Sequence, residues 1–416
     1  MKIDCRVCGG VVETAVDLGR QPMANGFLRP DQRDTEHFFD LAIGMCERCT
    51  TVQLMEEVPQ EMRYHSAYRY QASGSVGHRR HFAAIARHFL DQELLGPDPL
   101  IVEIGCNDGV MLETIARAGV RHLGVEPSGN VAAVARSKGV RVREDFFDEA
   151  TGRDIRRTDG PADVVFGANT ICHIAHVHSL FAGIDELLSD RGVFVFEEPY
   201  LGTIIGRTAF DQIYDEHVFY FTVRAMHAIA RQFGFEVVDA EHIAMHGGSI
   251  RYTLARPGRR PVAARVGELL AQERAAGLAE RATLQRFDAT ISGLRVELVE
   301  LLRSLRSAGR RVVGYGAPGK STTVTNFCGI GPDLIPYIVD STPEKQGHLL
   351  PGTHIPVLAP EAFSEDPPDH AVLFSWNHAA EITAKESAFA AAGGRWITYV
   401  PRVAVTSAGA TAALAG

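Results

Sequence analysis

The sequence lacks the features that mark membrane, secreted and nucleic-acid-binding proteins. No apolar run approaches the roughly 18 residues of a membrane-spanning helix, and the first residues, MKIDCRVCGG, carry no apolar signal core. A basic excess is also missing, because the formal net charge is −9 and the isoelectric point is about 6.0. These absences predict a cytoplasmic protein that binds neither membrane nor nucleic acid.

Disulfide bonds are also expected to be absent, because thiols stay reduced in the cytoplasm. The seven cysteines should therefore be metal ligands or buried thiols. The rest of the composition is ordinary for a globular protein, with 416 residues of which 45% are hydrophobic and 22% charged. A chain of this length predicts two or three domains with cores of their own.

Local patterns divide the chain into three segments and a tail. Residues 1–80 hold two Cys-x-x-Cys pairs, and residues 81–255 alternate short Val-, Ile- and Phe-rich runs with helical patterns, which predicts a parallel sheet. Residues 256–405 begin with a stretch of few breakers at 261–309, expected as one long helix or two in series, and continue with a second α/β pattern. The small, polar residues 406–416 are predicted to form a disordered tail.

The two Cys-x-x-Cys pairs predict a metal site. Cys5 and Cys8 form one pair, Cys46 and Cys49 the other, and four thiolates can close a tetrahedral zinc site. The gap between the pairs exceeds the ~15–20 residues of a typical zinc ribbon, so two unrelated thiol pairs are the alternative. No histidine lies nearby to activate a water, so we expect a structural zinc that staples a small domain. The other thiols are interpreted as buried or site-lining groups: Cys106, Cys172 and Cys328.

A first glycine loop, VEIGCNDGVML, joins a strand to a helix. Gly105 and Gly109 let the backbone approach a ligand closely. The spacing is not G-x-G-x-x-G, and the polar pair Asn107-Asp108 would repel a pyrophosphate, which favours bare N–H groups at a helix start. An acidic loop suits a cationic cofactor that carries an amino acid, although a plain α/β turn is the alternative.

Polar residues at the ends of the following strands extend this predicted site. Glu126 ends the next strand, where an acid can accept hydrogen bonds from ribose hydroxyls. Asp145 and Phe146 follow the third strand pattern and could hold an adenine, and Asn169 ends the fourth strand. S-adenosylmethionine has a sulfonium, an ammonium and ribose hydroxyls. The loop and the strand-end residues together therefore predict an S-adenosylmethionine site.

A second glycine loop, GYGAPGK, does match G-x-G-x-x-G and follows the strand pattern RRVV. With Asp340 at the end of the next strand, the pattern is that of a dinucleotide site, so NAD is a competing cofactor. Pro318 stiffens the loop, however, and Lys320 and Ser321 suit the phosphates of a nucleotide sugar equally well. A tight strand-to-helix turn without a ligand is the third interpretation.

The stretch YDEHVFYF places the proton-transfer pair Glu216 and His217 in an aromatic run. Adjacent residues on a strand point to opposite faces, so the two rarely serve one metal. Taken alone, the stretch fits a partly buried strand with one satisfied histidine.

Nine segments in order resemble the three-domain nucleotide-sugar C-methyltransferases of deoxysugar biosynthesis, and most closely those that methylate C3 of a dTDP-4-keto-deoxysugar. The segments are CRVC with CERC, QPMANGFL, YRYQASGS, EIGCNDG, GVEPS, ANTICHI, YDEHVFYFT, HGGSIRY and GYGAPGKS. Together they cover nearly the whole chain. Two departures are Asp215, where a histidine is often expected, and Cys106, where a serine is expected; Asp215 could alter substrate choice.

The resemblance implies that a base removes an acidic hydrogen beside a keto group and that donors stabilise the enolate. His217 is expected to be the base, kept neutral by apolar surroundings, with Glu216 orienting it or taking its proton. Tyr68 and Tyr214 are expected to donate to the enolate oxygen, and His173 to be a further donor or second base.

The HGGSIRY segment is expected to line the substrate cleft, with Arg251 as a phosphate contact, although a surface turn fits nearly as well. The second glycine loop, with Lys320 and Ser321, is expected to hold the diphosphate of the sugar nucleotide.

The resulting prediction is an α/β protein with a small zinc-binding N-terminal domain, a central Rossmann-like S-adenosylmethionine methyltransferase domain, and a C-terminal Rossmann-like α/β domain after a long helix. It is expected to bind structural Zn²⁺ and a dTDP-sugar, to act in deoxysugar or antibiotic biosynthesis, and to be a monomer. Methylation at C5 instead of C3 stays open. The rival hypotheses are O- or N-methylation of a sugar, an NAD-dependent oxidoreductase, and a scaffold built on an inactive methyltransferase domain.

Overall fold

The computed structural model describes residues 1–64, 68 and 70–406. Within them the strands form three sheets, of five, seven and six strands. Thr406, the first residue of the predicted tail, is the last residue of a strand, and the rest of that tail, 407–416, lies outside the described residues. In the part of the chain that is described, no helix is both long and apolar enough to cross a bilayer.

The secondary structure alternates strands and helices through most of the chain. The described strands are β1 (Lys2–Asp4), β2 (Val11–Pro22), β3 (Phe38–Cys46), β4 (Val52–Leu54), β5 (Leu100–Ile104), β6 (Arg121–Val125), β7 (Val142–Arg143), β8 (Ala162–Ala168), β9 (Leu188–Pro199), β10 (Phe219–Tyr220), β11 (Glu236–Ile243), β12 (Ser249–Ala255), β13 (Val312–Tyr315), β14 (Ile338–Val339), β15 (Val357–Leu358), β16 (His370–Leu373), β17 (Arg395–Thr398) and β18 (Ala404–Thr406).

The described α-helices are α1 (Gln60–Arg63), α2 (Val76–Gln92), α3 (Leu112–Arg117), α4 (Gly129–Ser137), α5 (Glu149–Asp159), α6 (Val177–Leu187), α7 (Leu201–Gly206), α8 (Val223–Gln232), α9 (Ala264–Ala275), α10 (Arg281–Ser307), α11 (Gly319–Cys328), α12 (Glu361–Glu365), α13 (Ala379–Lys385) and α14 (Ser387–Ala391). Short 3₁₀ turns span Pro30–Thr35, Ala72–Gly74, Ile171–His173, Phe210–Gln212, Met245–Gly247, Pro343–Lys345 and Trp376–His378.

The first sheet is antiparallel and has the strand order β1-β2-β3-β4-β10. Its edge strand β10 comes from far along the chain and pairs with β4. The aromatic residues of β10 supply the buried, β-favouring side chains that an added strand needs. The stretch that carries Glu216 and His217 therefore completes the sheet of the N-terminal segment.

The second sheet has the order β11-β12-β9-β8-β5-β6-β7, parallel from β9 to β7, with β12 antiparallel to both of its neighbours. From β5 the chain moves outward through β6 and β7 and then returns to place β8 on the other side of β5. Such a reversal leaves a crevice at the carboxyl ends of β5 and β8, which is where open α/β sheets bind ligands.

The helices α9 and α10 follow one another, so the alternative of two helices in series is the one present. They lead to the third sheet, of order β15-β14-β13-β16-β17-β18, in which only β18 is antiparallel. Its own reversal lies between β13 and β16. Both parallel sheets predicted from the sequence are thus present.

The three sheets share a continuous core. One cluster of buried side chains includes Leu54 of the first sheet, Phe196 of the second and Val372 of the third. Helix α11 also bonds to both other segments, because the Thr322 hydroxyl donates to the carbonyl of Ala24 and the Thr323 hydroxyl to that of Ile213. Residues of all three segments therefore meet at one place.

Candidate active site

A cavity opens at the carboxyl ends of β5, β6 and β8, the position that the strand order predicts. It encloses about 940 Å³ of empty space, including its open mouth. Its walls come from the described residues between Gln60 and Ala72, the loops after β5 and β6, and the turn that follows β8. The polar lining residues are Gln60, Tyr64, Tyr68, Tyr70, Glu103, Asn107, Glu126, Asp145, Asn169, Thr170, His173 and His246.

The glycine loop after β5 is shaped by two residues with left-handed backbone. Gly105 has φ +70°, and a Cβ there would lie 2.5 Å from the Thr170 hydroxyl oxygen, so only glycine fits. Asn107 has φ +48°, and its side chain accepts a hydrogen bond from the Ala72 amide and donates one to the Tyr70 carbonyl. The loop is therefore fastened to the N-terminal wall of the cavity.

Buried hydrogen-bond acceptors without protein partners line the part of the cavity that is predicted to bind the cofactor. The side-chain oxygens Asn169 Oδ1 and Glu103 Oε2 are buried and have no hydrogen-bond partner. Glu126 accepts from the amides of Asn107 (3.0 Å) and Ser128 (2.9 Å), and burial raises its pKa. Acceptors that lack donors fit a ligand carrying an ammonium and hydroxyl groups, as S-adenosylmethionine does.

Of the other predicted cofactor residues, some line the cavity and some lie behind the glycine loop. Asp145 and Phe146 line it, and Asp145 also forms an ion pair with Arg143 at 3.2 Å. Asp108 is fully buried behind the loop, where it pairs with Lys138 at 3.2 Å and accepts from Ser73.

Gly109 shapes the back of the same loop. It has φ +75° and packs against Ala135. Asp108 and Gly109 therefore hold the loop, and neither lines the cavity; direct cofactor contact by these two residues stays a prediction.

An Asn169→Gly variant should bind S-adenosylmethionine about 10- to 100-fold more weakly, because hydrogen bonds to charged groups contribute about 1.5–3 kcal/mol. Asn169 has φ +49°, which glycine adopts freely, so the melting temperature should not fall. Calorimetric titration with the cofactor measures the effect. Asn169→Asp keeps the acceptor and is the matched control; equal weakening in both variants would contradict the assignment.

Two histidines and two tyrosines form a group beside the cavity, which His173 and Tyr64 line. The rings of His173 and His217 are stacked at 5.2 Å, and His173 shares a 2.7 Å hydrogen bond through Nδ1 with the Tyr64 hydroxyl. His217 donates from Nδ1 to the Gln212 carbonyl at 2.8 Å, so its Nε2 accepts from the Tyr214 hydroxyl at 2.9 Å. The ligand atoms of Cys172, His173 and His217 lie within 4.8 Å of one another.

Burial sets the protonation states of this group. Desolvation lowers the pKa of His217 to about 3 and lowers that of His173 well below its usual value, so both rings are neutral near pH 7. It raises the pKa of the Tyr68 and Tyr214 hydroxyls well above the usual value, so both stay protonated. The site therefore combines neutral imidazoles with phenolic donors.

Glu216 does not contact the imidazole beside it, which corrects the expectation that it orients His217. Its carboxylate accepts from the Asn25 side chain at 2.7 Å and from the Tyr68 hydroxyl at 3.4 Å. Burial, followed by the charge of Asp215, raises the pKa of Glu216 to about 7. Asp215, the departure noted from the sequence, accepts from the Ala24 amide at 2.8 Å and so holds the N-terminal segment.

Arg63 ties the catalytic stretch together, and the sequence analysis missed it. Its buried guanidinium donates to the carbonyls of His173, Asp215 and Glu216 at 3.3–3.4 Å. It also lies 5.4 Å from the ring centroid of Tyr64. The sequence analysis also missed Tyr64 and Glu103, which line the cavity. Two features of the sequence could have indicated them: the closely spaced tyrosines at 64, 68 and 70, and a single acid, Glu103, within an apolar strand.

The second glycine loop is occupied by protein contacts. A Cβ at Gly319, the start of α11, would lie 3.2 Å from the Asn25 side chain. Asp340 accepts from the amides of Ala317 (2.6 Å) and Thr342 (2.8 Å), as Glu126 does from the amides of its own loop. The Asn25 side chain lies against the start of α11, where a pyrophosphate would approach, and this contact disfavours the dinucleotide interpretation.

Two predicted phosphate contacts are used elsewhere, and one remains accessible. The Ser321 hydroxyl is buried and donates to the Pro318 carbonyl. Arg251 on β12 forms ion pairs with Glu197 on β9 at 2.7 Å and with Glu241 on β11 at 3.1 Å. Its guanidinium is therefore held by the two neighbouring strands. Phosphate binding by Ser321 and Arg251 stays a prediction, and Lys320 is partly exposed and donates to the Asn377 side chain at 2.9 Å.

The four N-terminal cysteines converge on one point. Their sulfurs lie within 4.8 Å of one another, with Cys5 to Cys49 at 3.6 Å and Cys8 to Cys46 at 3.5 Å. Four thiolates bonded at about 2.3 Å to a tetrahedral zinc lie about 3.8 Å apart, so the cluster fits that ion. The two Cys-x-x-Cys pairs form one site.

Three family models match the chain in order. They are "Putative zinc binding domain" over residues 5–64, "Methyltransferase domain" over 76–240 and "C-methyltransferase C-terminal domain" over 244–401. The fold class, zinc and S-adenosylmethionine predicted from the sequence are confirmed by these matches together with the cysteine cluster.

Among curated proteins, C-methyltransferase NovU of Streptomyces niveus is 34% identical over 98% of this chain and 98% of its own length. The ubiquinone biosynthesis O-methyltransferase of Azorhizobium caulinodans is 28% identical over 23% of this chain and 38% of its own.

Two solved structures resemble part of the chain. An S-adenosylmethionine-dependent methyltransferase from Anabaena variabilis is 16% identical with a TM-score of 0.34, over 42% of this chain and 84% of its own. Magnesium protoporphyrin IX methyltransferase of Synechocystis PCC 6803, solved with bound S-adenosylmethionine, is 15% identical with a TM-score of 0.32, over 44% and 80%.

Proposed function

The chain belongs to the C-methyltransferase family, and on that premise we propose that it methylates C3 of a dTDP-4-keto-deoxyhexose through an enolate. The observation that carries the proposal is the pairing of two tyrosine hydroxyls with two proton acceptors beside the cofactor cavity. Tyr214 bonds to His217 and Tyr68 bonds to Glu216. Methylation of a hydroxyl or an amine needs a single base and no enolate donors.

His217 is the base in this mechanism. Its Nδ1 is fixed on the Gln212 carbonyl, so Nε2 is the nitrogen that accepts a proton. His217 itself is 1% exposed, whereas Tyr214 is partly exposed and bonds to that Nε2. The Tyr214 hydroxyl is therefore the accessible end of the pair. Its oxygen takes the C3 proton as its own proton passes to His217 Nε2, and the electron pair of the broken C–H bond forms the enolate.

The Tyr68 hydroxyl stabilises the negative charge that forms on the keto oxygen. Burial keeps Tyr68 protonated, and a phenol in a water-poor site can donate to an enolate oxygen. His173 lines the same cavity, and its Nε2 is buried without a partner. We assign it as a further donor to the sugar.

Asn107, Glu126 and Asn169 are the residues proposed to hold S-adenosylmethionine, which supplies an electrophilic methyl group when bound. Because Asn107 bonds to the backbone at Tyr70 and Ala72, the cofactor loop and the Tyr68 wall keep a constant separation. Holding the substrate carbon and the methyl donor in a fixed relative position contributes a large part of the rate acceleration in a methyl transfer.

We further propose that residues 1–80 form a zinc domain that covers the substrate, 81–255 the cofactor domain and 256–405 the domain that holds the nucleotide. The separate sheets support this division, although β10 crosses from the second range into the first sheet. Because the cavity and the catalytic group are assembled within one chain, we propose a monomer that takes the dTDP-sugar as its small-molecule partner.

Proton NMR in D₂O tests the reaction directly. The chain and a dTDP-4-keto-deoxyhexose should show loss of the C3 proton signal beyond an enzyme-free control, and a new C-methyl singlet once S-adenosylmethionine is added. Loss of the C5 proton signal instead would show that C5 is the methylated carbon. Methyl transfer to oxygen or nitrogen without carbon exchange would overturn the enolate mechanism.

The rate of this exchange should rise with pH and level off above about pH 7. His217 is neutral across that range, whereas Glu216, with its pKa raised to about 7, becomes ionised through it. An ionised Glu216 can only accept, so it holds the Tyr68 hydroxyl in place, whereas a protonated Glu216 is itself a donor. Glu216→Gln should give a low, pH-independent rate; an unchanged profile in that variant would assign the ionisation to another group.

A further inference from the structure

Three histidines from distant parts of the chain meet near the cavity mouth. The ring of His78, in the first turn of α2, lies 5.3 Å from that of His246 and 5.5 Å from that of His378. His246 follows β11 and lines the cavity, and His378 lies in the loop after β16, at the reversal of the third sheet. The active site described above uses none of the three.

Lys320 adds a positive charge to this cluster. Its ammonium lies 4.5 Å above the ring of Trp376 and 2.9 Å from the Asn377 side-chain oxygen. Asp211, the acid that acts on it electrostatically, already accepts from the Trp376 indole (2.6 Å) and the Tyr399 hydroxyl (2.8 Å). Among the described residues Lys320 and Asp211 form no direct ion pair, so Asp211 acts on the ammonium only from a distance.

We propose that His78, His246, His378 and Lys320 bind the diphosphate of the nucleotide sugar and that this binding takes up protons from solution. The proposal rests on the proposed function for the identity of the ligand. A diphosphate offers several acceptor oxygens, and imidazolium and ammonium groups are matched donors. Lys320 brings a positive charge to this cluster, and His246 places the cluster against the cavity that it lines.

The position of the cluster fits a substrate that reaches the catalytic group. His246 is close enough to His173 and His217 for their charges to interact. A diphosphate on the cluster would place the attached sugar toward the Tyr214–His217 pair. The site is assembled from all three segments, so substrate binding would also hold them together.

The direction of the proton coupling follows from charge. Burial, mutual repulsion and Lys320 lower the pKa of His78 and His246, and lower that of His378 to about 4, so the cluster is largely neutral without ligand. A bound polyanion favours the protonated rings, so affinity should fall as pH rises. The other charged or titratable groups that face the cluster are His81, His173, Arg207, Asp211, His217 and Glu381.

Calorimetric titration of the full, zinc-loaded chain with dTDP tests the proposal. Measurements at one pH in two buffers of different ionisation heat should reveal uptake of about one proton, and the affinity should weaken from about pH 6 to about pH 8. His78→Gln and His378→Gln should each weaken binding about tenfold or more and reduce the proton uptake. His88→Gln, an exposed histidine on the same helix α2, is the matched control.

The outcomes separate the inference from the proposed function. Tight dTDP binding without proton uptake, and with unchanged affinity in both variants, would overturn the histidine site and leave C-methylation of the sugar intact. If neither dTDP nor inorganic pyrophosphate binds while S-adenosylmethionine does, both the cluster assignment and the nucleotide-sugar substrate are wrong. S-adenosylmethionine affinity in each variant should equal that of the wild type, which checks its folding.

Discussion

A His217→Asn variant should exchange the C3 proton of the substrate about 10²- to 10⁴-fold more slowly than the wild type, the usual contribution of a positioned base. The imidazole Nε2 accepts from Tyr214 and its Nδ1 is anchored on Gln212, so no neighbour can take its place without moving. Asparagine keeps a polar side chain of similar reach but has no basic nitrogen. Deuterium incorporation by NMR gives the rate, and C-methyl product formation should fall with it.

Two controls isolate the chemical step from binding and folding. Affinity for S-adenosylmethionine should be unchanged, because His217 does not line the cofactor cavity. His242→Asn, at an exposed histidine on β11, should exchange at the wild-type rate. If His217→Asn retains full exchange while Glu216→Gln abolishes it, the base is the carboxylate and not the imidazole.

A Cys46→Ser variant should lose the zinc and with it most of the activity. Structural zinc sites contribute apparent free energies on the order of 10 kcal/mol that are coupled to folding. The cluster holds β2 and β3 together at one end of the first sheet, where Val12 pairs with Cys46. Elemental analysis should find one zinc per wild-type chain and almost none in the variant, with rapid proteolysis of the N-terminal segment.

The loss of activity has a structural route. The segment between β2 and β3 carries Ala24 and Asn25, which donate to Asp215 and Glu216. Unfolding of the first sheet removes these donors and uncovers Glu216, so exchange should fall at least as far as in Glu216→Gln. Cys328→Ser, at a buried thiol outside the cluster, should keep both zinc and exchange. Full exchange by a zinc-free chain would show that the metal domain is dispensable for catalysis.

Local features of the sequence were sufficient to predict the fold class and the two cofactors. Strand and helix patterns depend on the spacing of apolar side chains over a few residues, and the four cysteines form the predicted cluster. The strand-end residues Glu126 and Asn169 both line the cavity, because the carboxyl ends of parallel strands meet at one edge of a sheet.

Partners set by distant parts of the chain were decided only by tertiary structure. Glu216 was expected to serve the adjacent His217, yet it bonds to Asn25 and Tyr68, which are brought to it when β10 joins the first sheet. Arg251 was expected to meet phosphate, yet the neighbouring strands supply it with two carboxylates.

The same limit explains why no pattern indicated the histidine cluster, whose members lie at 78, 246 and 378. The sequence by itself therefore determined the elements, the zinc ligands and the cofactor edge, because each depends on local period or on strand order. Tertiary packing alone decided which titratable groups are buried and which charges lie near them, and burial is the main cause of the shifted pKa of Glu216 and of the histidines.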